Sequence, residues 1–226
     1  MATIAITGAA RGVGLELARQ HVAAGDRVFA LVRKPSDGLD ALAASAPDLL
    51  TVHTMDVGDE ASVRAGAADT GTAPIDVLYN VAGITGPMGN ELESSDWNAW
   101  NDAFAIMVQG PLRVLQAFLP RLESGAKVIN ISSQLGASTW AMGGFYAYAA
   151  AKAALNRLMR SVSVDLKPRG VMVALIHPGW VQTDMGGPHA QVSPADSVNG
   201  IRSVTEHLSM ETTGDFFNWT GEPHAW

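Results

Sequence analysis

The chain of 226 residues has a net charge of −7, 47% hydrophobic and 16% charged residues, and no cysteine. That length suits one α/β unit with a well-filled core, and the acidic balance argues against nucleic acid and anionic membranes as partners. Without cysteine there is no disulfide, no thiolate catalysis and no sulfur-ligated metal, and the start MATIAITGAARG shows no charged leader before an apolar core. No apolar run is expected to reach membrane length, so the expectation is a soluble, cytoplasmic protein.

In chain order the predicted elements alternate. A strand TIAIT (3–7) leads through a glycine turn into the helical GLELARQHVAAG, and RVFALV (27–32) and LTVHTMDV (50–57) read as the next strands. A helix over SVRAGAADT precedes the strand DVLYNVA (76–82), followed by a long helix over 96–122 that Pro111 should bend. The strand KVINIS (127–132), a helix over 146–166 and the strand VMVALIHP (171–178) come next. A last helix over about 195–209 leads to an edge strand near 215–219. Near-continuous apolar strands alternating with helices predict an α/β chain with a doubly wound parallel sheet, buried on both faces. In such a sheet the binding crevice lies at the carboxyl ends of the strands.

The first of those ends reads TGAARGVG, with Gly8, Gly12 and Gly14. Glycines between a strand and a helix let the backbone approach a pyrophosphate, which the helix amino terminus holds. The second strand ends before Arg33 and Lys34, where an NAD site would carry an acid for the ribose hydroxyls. A guanidinium there suits a 2′-phosphate, and Arg11 in the glycine turn could meet it from the other side, so the reading favours NADP(H). Further on, YAYAAAK (146–152) sits in an alanine-rich helix, where Tyr148 and Lys152 share a face and Tyr146 points elsewhere. Taken alone, that pair reads first as an exposed i,i+4 contact.

TGAARGVG, Asp56-Val57, N-x-A-G at 80–83, VINISS at 128–133, Y-x-x-x-K at 148–152 and PGWVQT at 178–183 occur in one order. In that order they resemble the short-chain dehydrogenase/reductase family, over about residues 3–185. The short length and the ending DFFNWTGEPHAW are similar to its small C-factor-like and sniffer-like members. The resemblance implies a single-domain Rossmann-type fold over 1–226, with helices on both faces of the sheet. It implies Tyr148 as proton donor to a carbonyl oxygen, Lys152 lowering the phenol's pKa and holding the nicotinamide ribose, and Ser133 orienting the substrate. Ser132, its neighbour, should point to the opposite face. For the cofactor it implies Gly8, Arg11, Gly12, Val13 and Gly14 at the pyrophosphate, and Arg33 at the 2′-phosphate. Asp56 and Val57 would border the adenine, Asn80, Ala82 and Gly83 its ribose, and Pro178, Gly179, Val181 and Thr183 the nicotinamide.

Two positions depart from the family pattern. Val81 replaces an asparagine that stabilises the backbone, and Met107 stands where many members carry a fourth catalytic residue, an asparagine. A thioether cannot hold the water that links the lysine to solvent, so the relay needs other groups, such as backbone carbonyls, or turnover is slow or lost. Gln109 lies about 200° around the helix from Met107 and cannot substitute. The six histidines show no metal-binding spacing; His177 reads as a satisfied strand-end histidine.

The expected function is NADP(H)-dependent hydride transfer with a small-molecule carbonyl or alcohol. The alternative is an NADP(H)-binding regulatory or signalling protein with little turnover. A dehydratase or epimerase on the same fold has only the tyrosine and lysine behind it. The loop QLGASTWAMGGF should line the substrate pocket, and residues 184–195 should form a short lid. The long helix and the Tyr-Lys helix should form the interface of a homodimer or homotetramer.

Overall fold

The structure, a computed structural model, describes residues 1–87 and 92–226. Seven strands form one sheet in the order β3-β2-β1-β4-β5-β6-β7, with every pair parallel. They are β1 (Thr3–Thr7), β2 (Arg27–Val32), β3 (Leu50–Thr54), β4 (Val77–Asn80), β5 (Lys127–Ile131), β6 (Met172–His177) and β7 (Phe216–Asn218). The helices are α1 (Gly12–Ala23), α2 (Asp37–Ser45), α3 (Glu60–Asp69), α4 (Trp97–Phe104), α5 (Gly110–Phe118), α6 (Tyr146–Leu166) and α7 (Pro194–His207).

Successive strand residues feed opposite cores, as a period of two requires. Ala5, Leu78, Val128 and Val173 pack on the face covered by α5 and α6, whereas Ile4, Tyr79, Ile129 and Ala174 pack under α1 and α7. From β1 the chain runs outward to the edge strand β3, then returns to pair β4 against β1, with Thr7 opposite Asn80. The order reverses there, so the crevice opens above the ends of β1 and β4.

Several predicted boundaries shift. β3 stops at Thr54 rather than 57, β4 runs only over 77–80, β5 ends at Ile131, and β6 covers 172–177. No helix is predicted between the second and third strands, yet α2 forms there. Its signals are in the sequence: Ser36 accepts from Leu39 N at 3.2 Å as the N-cap, and Leu39 and Leu42 follow at helical spacing.

The long helix is not continuous. A π-helical turn over Ala105–Gln109 separates α4 from α5, and a 3₁₀ turn over Leu119–Arg121 ends the run. The irregularity precedes Pro111 because proline brings no N–H to the i→i+4 ladder, and Gly110 N reaches back five residues to Ala105 O. Contrary to expectation, Trp97–Arg121 is long and apolar enough to cross a membrane by length and composition. Here it packs against the sheet: its own Val114 and Phe118 are fully buried.

Candidate active site

The glycine turn is shaped by close backbone approach. A Cβ at Gly14 would lie 2.3 Å from Gly8 O, and one at Gly8 would lie 2.9 Å from Ala82 Cα and N. Gly8 and Gly12 also take φ of +70° and +53°, a region that disfavours side chains. Above the turn, Thr183 Cγ2 stands 3.1 Å from where a Gly12 Cβ would be, so the PGWVQT segment lies directly over it. Such a bare cradle at a helix amino terminus fits a dinucleotide pyrophosphate.

Thr7 holds this cradle together, and the motifs alone did not single it out. Its hydroxyl accepts from Val81 N at 3.0 Å and Ala82 N at 3.2 Å. The β4 end is therefore pinned to β1 through backbone groups, and Val81 leaves it intact. Asn80 is 4% exposed and its amide nitrogen donates to Asn130 Oδ1 on β5 at 2.9 Å. Gly83 lies under Met107, whose sulfur is 3.6 Å from the position of a Cβ there.

Around the cradle, Arg33 and Lys34 are exposed at the end of β2. Arg11 is exposed too, but its guanidinium lies 3.5 Å from the Asp184 carboxylate. Val13 is partly buried behind the turn and Val57 is buried below α5. Asp56 Oδ1 accepts from Gly58 N at 2.9 Å, which fixes the carboxylate at the end of the third βα connection.

Ser133, Tyr148 and Lys152 come together as predicted. Tyr148 and Lys152 lie one turn apart on α6, and the Tyr148 hydroxyl is hydrogen-bonded to Ser133, which follows β5. Lys152 Nζ lies 5.7 Å from the Tyr148 ring centroid and donates to Ile131 O at 2.7 Å. Burial lowers the Lys152 pKa to about 8. The expected lowering of the Tyr148 pKa is not found in the protein by itself. Burial of the phenol raises it, and the Ser133 hydrogen bond offsets only part of that. A neutral phenol is the form that can donate a proton.

Ser132 does not turn away from this group. The strand ends at Ile131, alternation stops with it, and the Ser132 hydroxyl donates to Asn156 Oδ1 of α6 at 2.5 Å. Asn156, four residues after Lys152 on the same face, is buried and was not singled out by any motif.

Met107 is 1% exposed and packs with Ala103, Ala147 and Ala151. Gln109 points to solvent and accepts from Arg113, and Asn98 and Asn101 are exposed, so none of these amides enters the site. His177 closes the end of β6 as a satisfied histidine: its Nδ1 accepts from Gln134 N at 3.2 Å. Its pKa falls to about 4 through burial and the neighbouring His224, whose ring is 5.6 Å away.

Pro178 O accepts from Ser197 Oγ at 2.6 Å, and Gly179 takes φ of +85° against Trp219. Val181 is buried and pairs with Val192, while Pro194–Ala195 already belong to α7. The predicted lid is thus tied back at its second half. Gly186 and Ala190 are also bonded to Trp180 and Gln182, which leaves Asp184, Met185, Pro188 and His189 as the exposed residues of its first half.

A family model described as short chain dehydrogenase matches residues 2–192, and the chain belongs to that family. It is 44% identical to the C-signal protein of Myxococcus xanthus over 167 residues, 73% of this chain and all of that one. The carbonyl reductase Sniffer of D. melanogaster superposes with a TM-score of 0.93 at 30% identity, covering 100% of both chains. The NADPH-bound carbonyl reductase from chicken fatty liver superposes with a TM-score of 0.91 at 33% identity, covering 99% of this chain and 98% of that one.

Proposed function

We propose that the protein is an NADP(H)-dependent reductase of aldehydes or ketones, running in reverse as an alcohol dehydrogenase. The observation that carries this reading is the meeting of Ser133, Tyr148 and Lys152 beside the bare glycine cradle. The likeness to two carbonyl reductases, one with NADPH bound, supports it.

The cradle of Gly8, Gly12 and Gly14 would receive the pyrophosphate, Arg33 the 2′-phosphate, Asp56 the adenine, and Thr183 with the Pro178–Gly179 backbone the nicotinamide. When bound, the nicotinamide supplies or takes the hydride. The chain's own part is the oxygen. Ser133 donates to the carbonyl oxygen and holds it beside Tyr148, and the neutral phenol gives up its proton as negative charge develops there. The Lys152 ammonium then stabilises the phenolate that remains.

A second reading, an NADP(H)-binding signalling protein with little turnover, draws on Met107 in place of a polar relay residue and on the similarity to C-signal. Purified protein given NADPH and a panel of carbonyls separates the two. Carbonyl-dependent NADPH consumption that disappears in Tyr148→Phe supports the reductase; tight NADPH binding without consumption supports the signalling protein.

The lack of cysteine favours a cytoplasmic setting. Trp97 on α4 and Val164 on α6 are each 68% exposed, which favours pairing of these helices in a homodimer or homotetramer. Sedimentation equilibrium tests it, a monomer at all concentrations being the adverse result.

A further inference from the structure

Between Ile131 and Gly136 the chain leaves β5, carries Ser133 and enters a short 3₁₀ turn. Strand pairing ends as the chain reaches Ser133, so side-chain contacts must help hold the serine to the precision that catalysis needs. On one side Ser132 N donates to Ile176 O at 2.8 Å and Gln134 N to His177 Nδ1 at 3.2 Å, both on β6; the remaining ties run to α6. Ile131 O accepts from Lys152 Nζ at 2.7 Å, and Ser132 Oγ donates to Asn156 Oδ1 at 2.5 Å. Asn156 Nδ2 then donates to Gly136 O at 3.3 Å. Gly136 itself presses on the helix: a Cβ there would lie 2.8 Å from the Lys152 carbonyl carbon and 3.0 Å from Ala153 N. Asn156 is 3% exposed, so both halves of its amide work in a dry setting where an unmade bond is costly.

We propose that Asn156 is a positioning residue for Ser133. Its side chain grips the residue before Ser133 and the carbonyl three residues after it, and so fixes the serine relative to Tyr148 on the same helix. The lysine and this asparagine, one turn apart, divide the labour: Lys152 acts at the phenol, while Asn156 sets where the serine hydroxyl stands. Asn156 touches neither substrate nor cofactor; it acts through Ser133. The inference rests on the reductase reading for its catalytic meaning, although the brace itself is independent of it.

The test is a double-mutant cycle read two ways. In the reductase assay, Asn156→Ala is expected to lower kcat by about tenfold to a hundredfold, the scale of a small misplacement, with NADPH affinity changed by less than about twofold. Placed on Ser133→Ala, the same substitution should cost less than about threefold more, because its target is already gone.

The second reading is the phenolate absorbance of Tyr148, isolated by subtracting Tyr148→Phe, in a chain with three tyrosines. Asn156→Ala should raise that titration as Ser133→Ala does, and the two shifts should not add. Losses that multiply, or a phenol that ignores Asn156→Ala, would overturn the proposal. If Asn156→Ala does not fold, Ser132→Ala removes one arm of the grip. A folded Ser132→Ala with unchanged titration and kcat would overturn it equally. Wild-type protein that turns over no carbonyl would remove the reductase reading, and the titration would still decide the brace.

Discussion

Lys152 donates from Nζ to the main-chain oxygen of Ile131 at 2.7 Å, with only 5% of the residue exposed to solvent. A lone buried ammonium is expensive, and its pKa accordingly falls from 10.5 to about 8. The unfolded chain binds this proton more tightly than the folded one, so stability rises with pH between about 8 and 10.5. At neutral pH the folded state carries the penalty, roughly 3 kcal/mol for a gap of this size. Lys152→Met should therefore abolish reductase activity yet raise the urea midpoint of the cofactor-free protein at pH 7, and should flatten the rise toward alkaline pH. A lower midpoint in the variant would mean that the bond to Ile131 outweighs the burial.

His177 produces the opposite edge of the stability profile. Its pKa is lowered to about 4, with His224 facing it and Gln134 N–H bonded to its Nδ1. A histidine held below its unfolded value of 6.5 favours folding only while neutral, so its contribution is complete above pH 6.5 and drains away as pH falls toward 4. His21 on α1 adds to the same trend, lowered first by burial and facing Asp26, Arg202 and Tyr79. Urea midpoints measured from pH 7.5 down to 5 should drop steadily. His177→Phe should be less stable at pH 7.5, through the unpaired Gln134 N–H, but should lose less on acidification. Equal slopes in the two proteins would count against His177 as a source.

Cofactor choice should lean on Arg33 more than on Arg11. Arg33 is exposed at the end of β2, whereas Arg11 already pairs with Asp184 at 3.5 Å. A charge-assisted contact to a phosphate is worth about 1.5–3 kcal/mol, so Arg33→Ala should weaken NADPH binding by at least about tenfold and leave NADH almost unchanged. Arg11→Ala should cost less than about threefold, since the guanidinium must first leave an exposed ion pair of small worth. Titration calorimetry with both nucleotides checks the order, and a larger effect at Arg11 would reverse the assignment.

The sequence was most legible where one kind of constraint acts alone. Both-face burial made every strand visible, and glycine spacing marked the cradle, because no other residue survives where a Cβ would meet Gly8 O at 2.3 Å. Helical spacing put Tyr148 and Lys152 on one face, and the ordered series of motifs gave the pair its meaning. What stayed hidden depends on partners far along the chain. Thr7 bonds to Val81 and Ala82, and Asn156 to Ser132, across separations that no local pattern encodes. The π-turn before Pro111 was half legible: proline announced a disturbance, but not that the ladder would widen on its amino-terminal side. The phenol's raised pKa was missed because its burial, the dominant cause, was not weighed.

Trp226 holds the loop that follows Ser133. Its main-chain oxygen accepts from Ser138 Oγ at 3.1 Å and Thr139 N at 3.2 Å, immediately before the exposed Trp140 and Met142. Its ring is fixed in turn by Arg160, 5.0 Å from the centroid, and by Phe216 at 5.8 Å. Arg160 is itself anchored to Gly214 O and Asp215. Trp226→Ala keeps the oxygen but frees the backbone that presents it, at the loss of a partly exposed cation–π contact worth about 0.5–1 kcal/mol plus the ring packing. That energy corresponds to about a threefold to tenfold change in an equilibrium. Since Trp140 and Met142 stand on the loop and not at the reacting oxygen, the change should fall on KM for bulky apolar carbonyls. For a small aldehyde, which need not reach the loop, kcat and KM should stay within about twofold of the parent. A uniform loss of kcat across both substrates would mean instead that Trp226 steadies Ser133 itself, through the 3₁₀ turn that joins them.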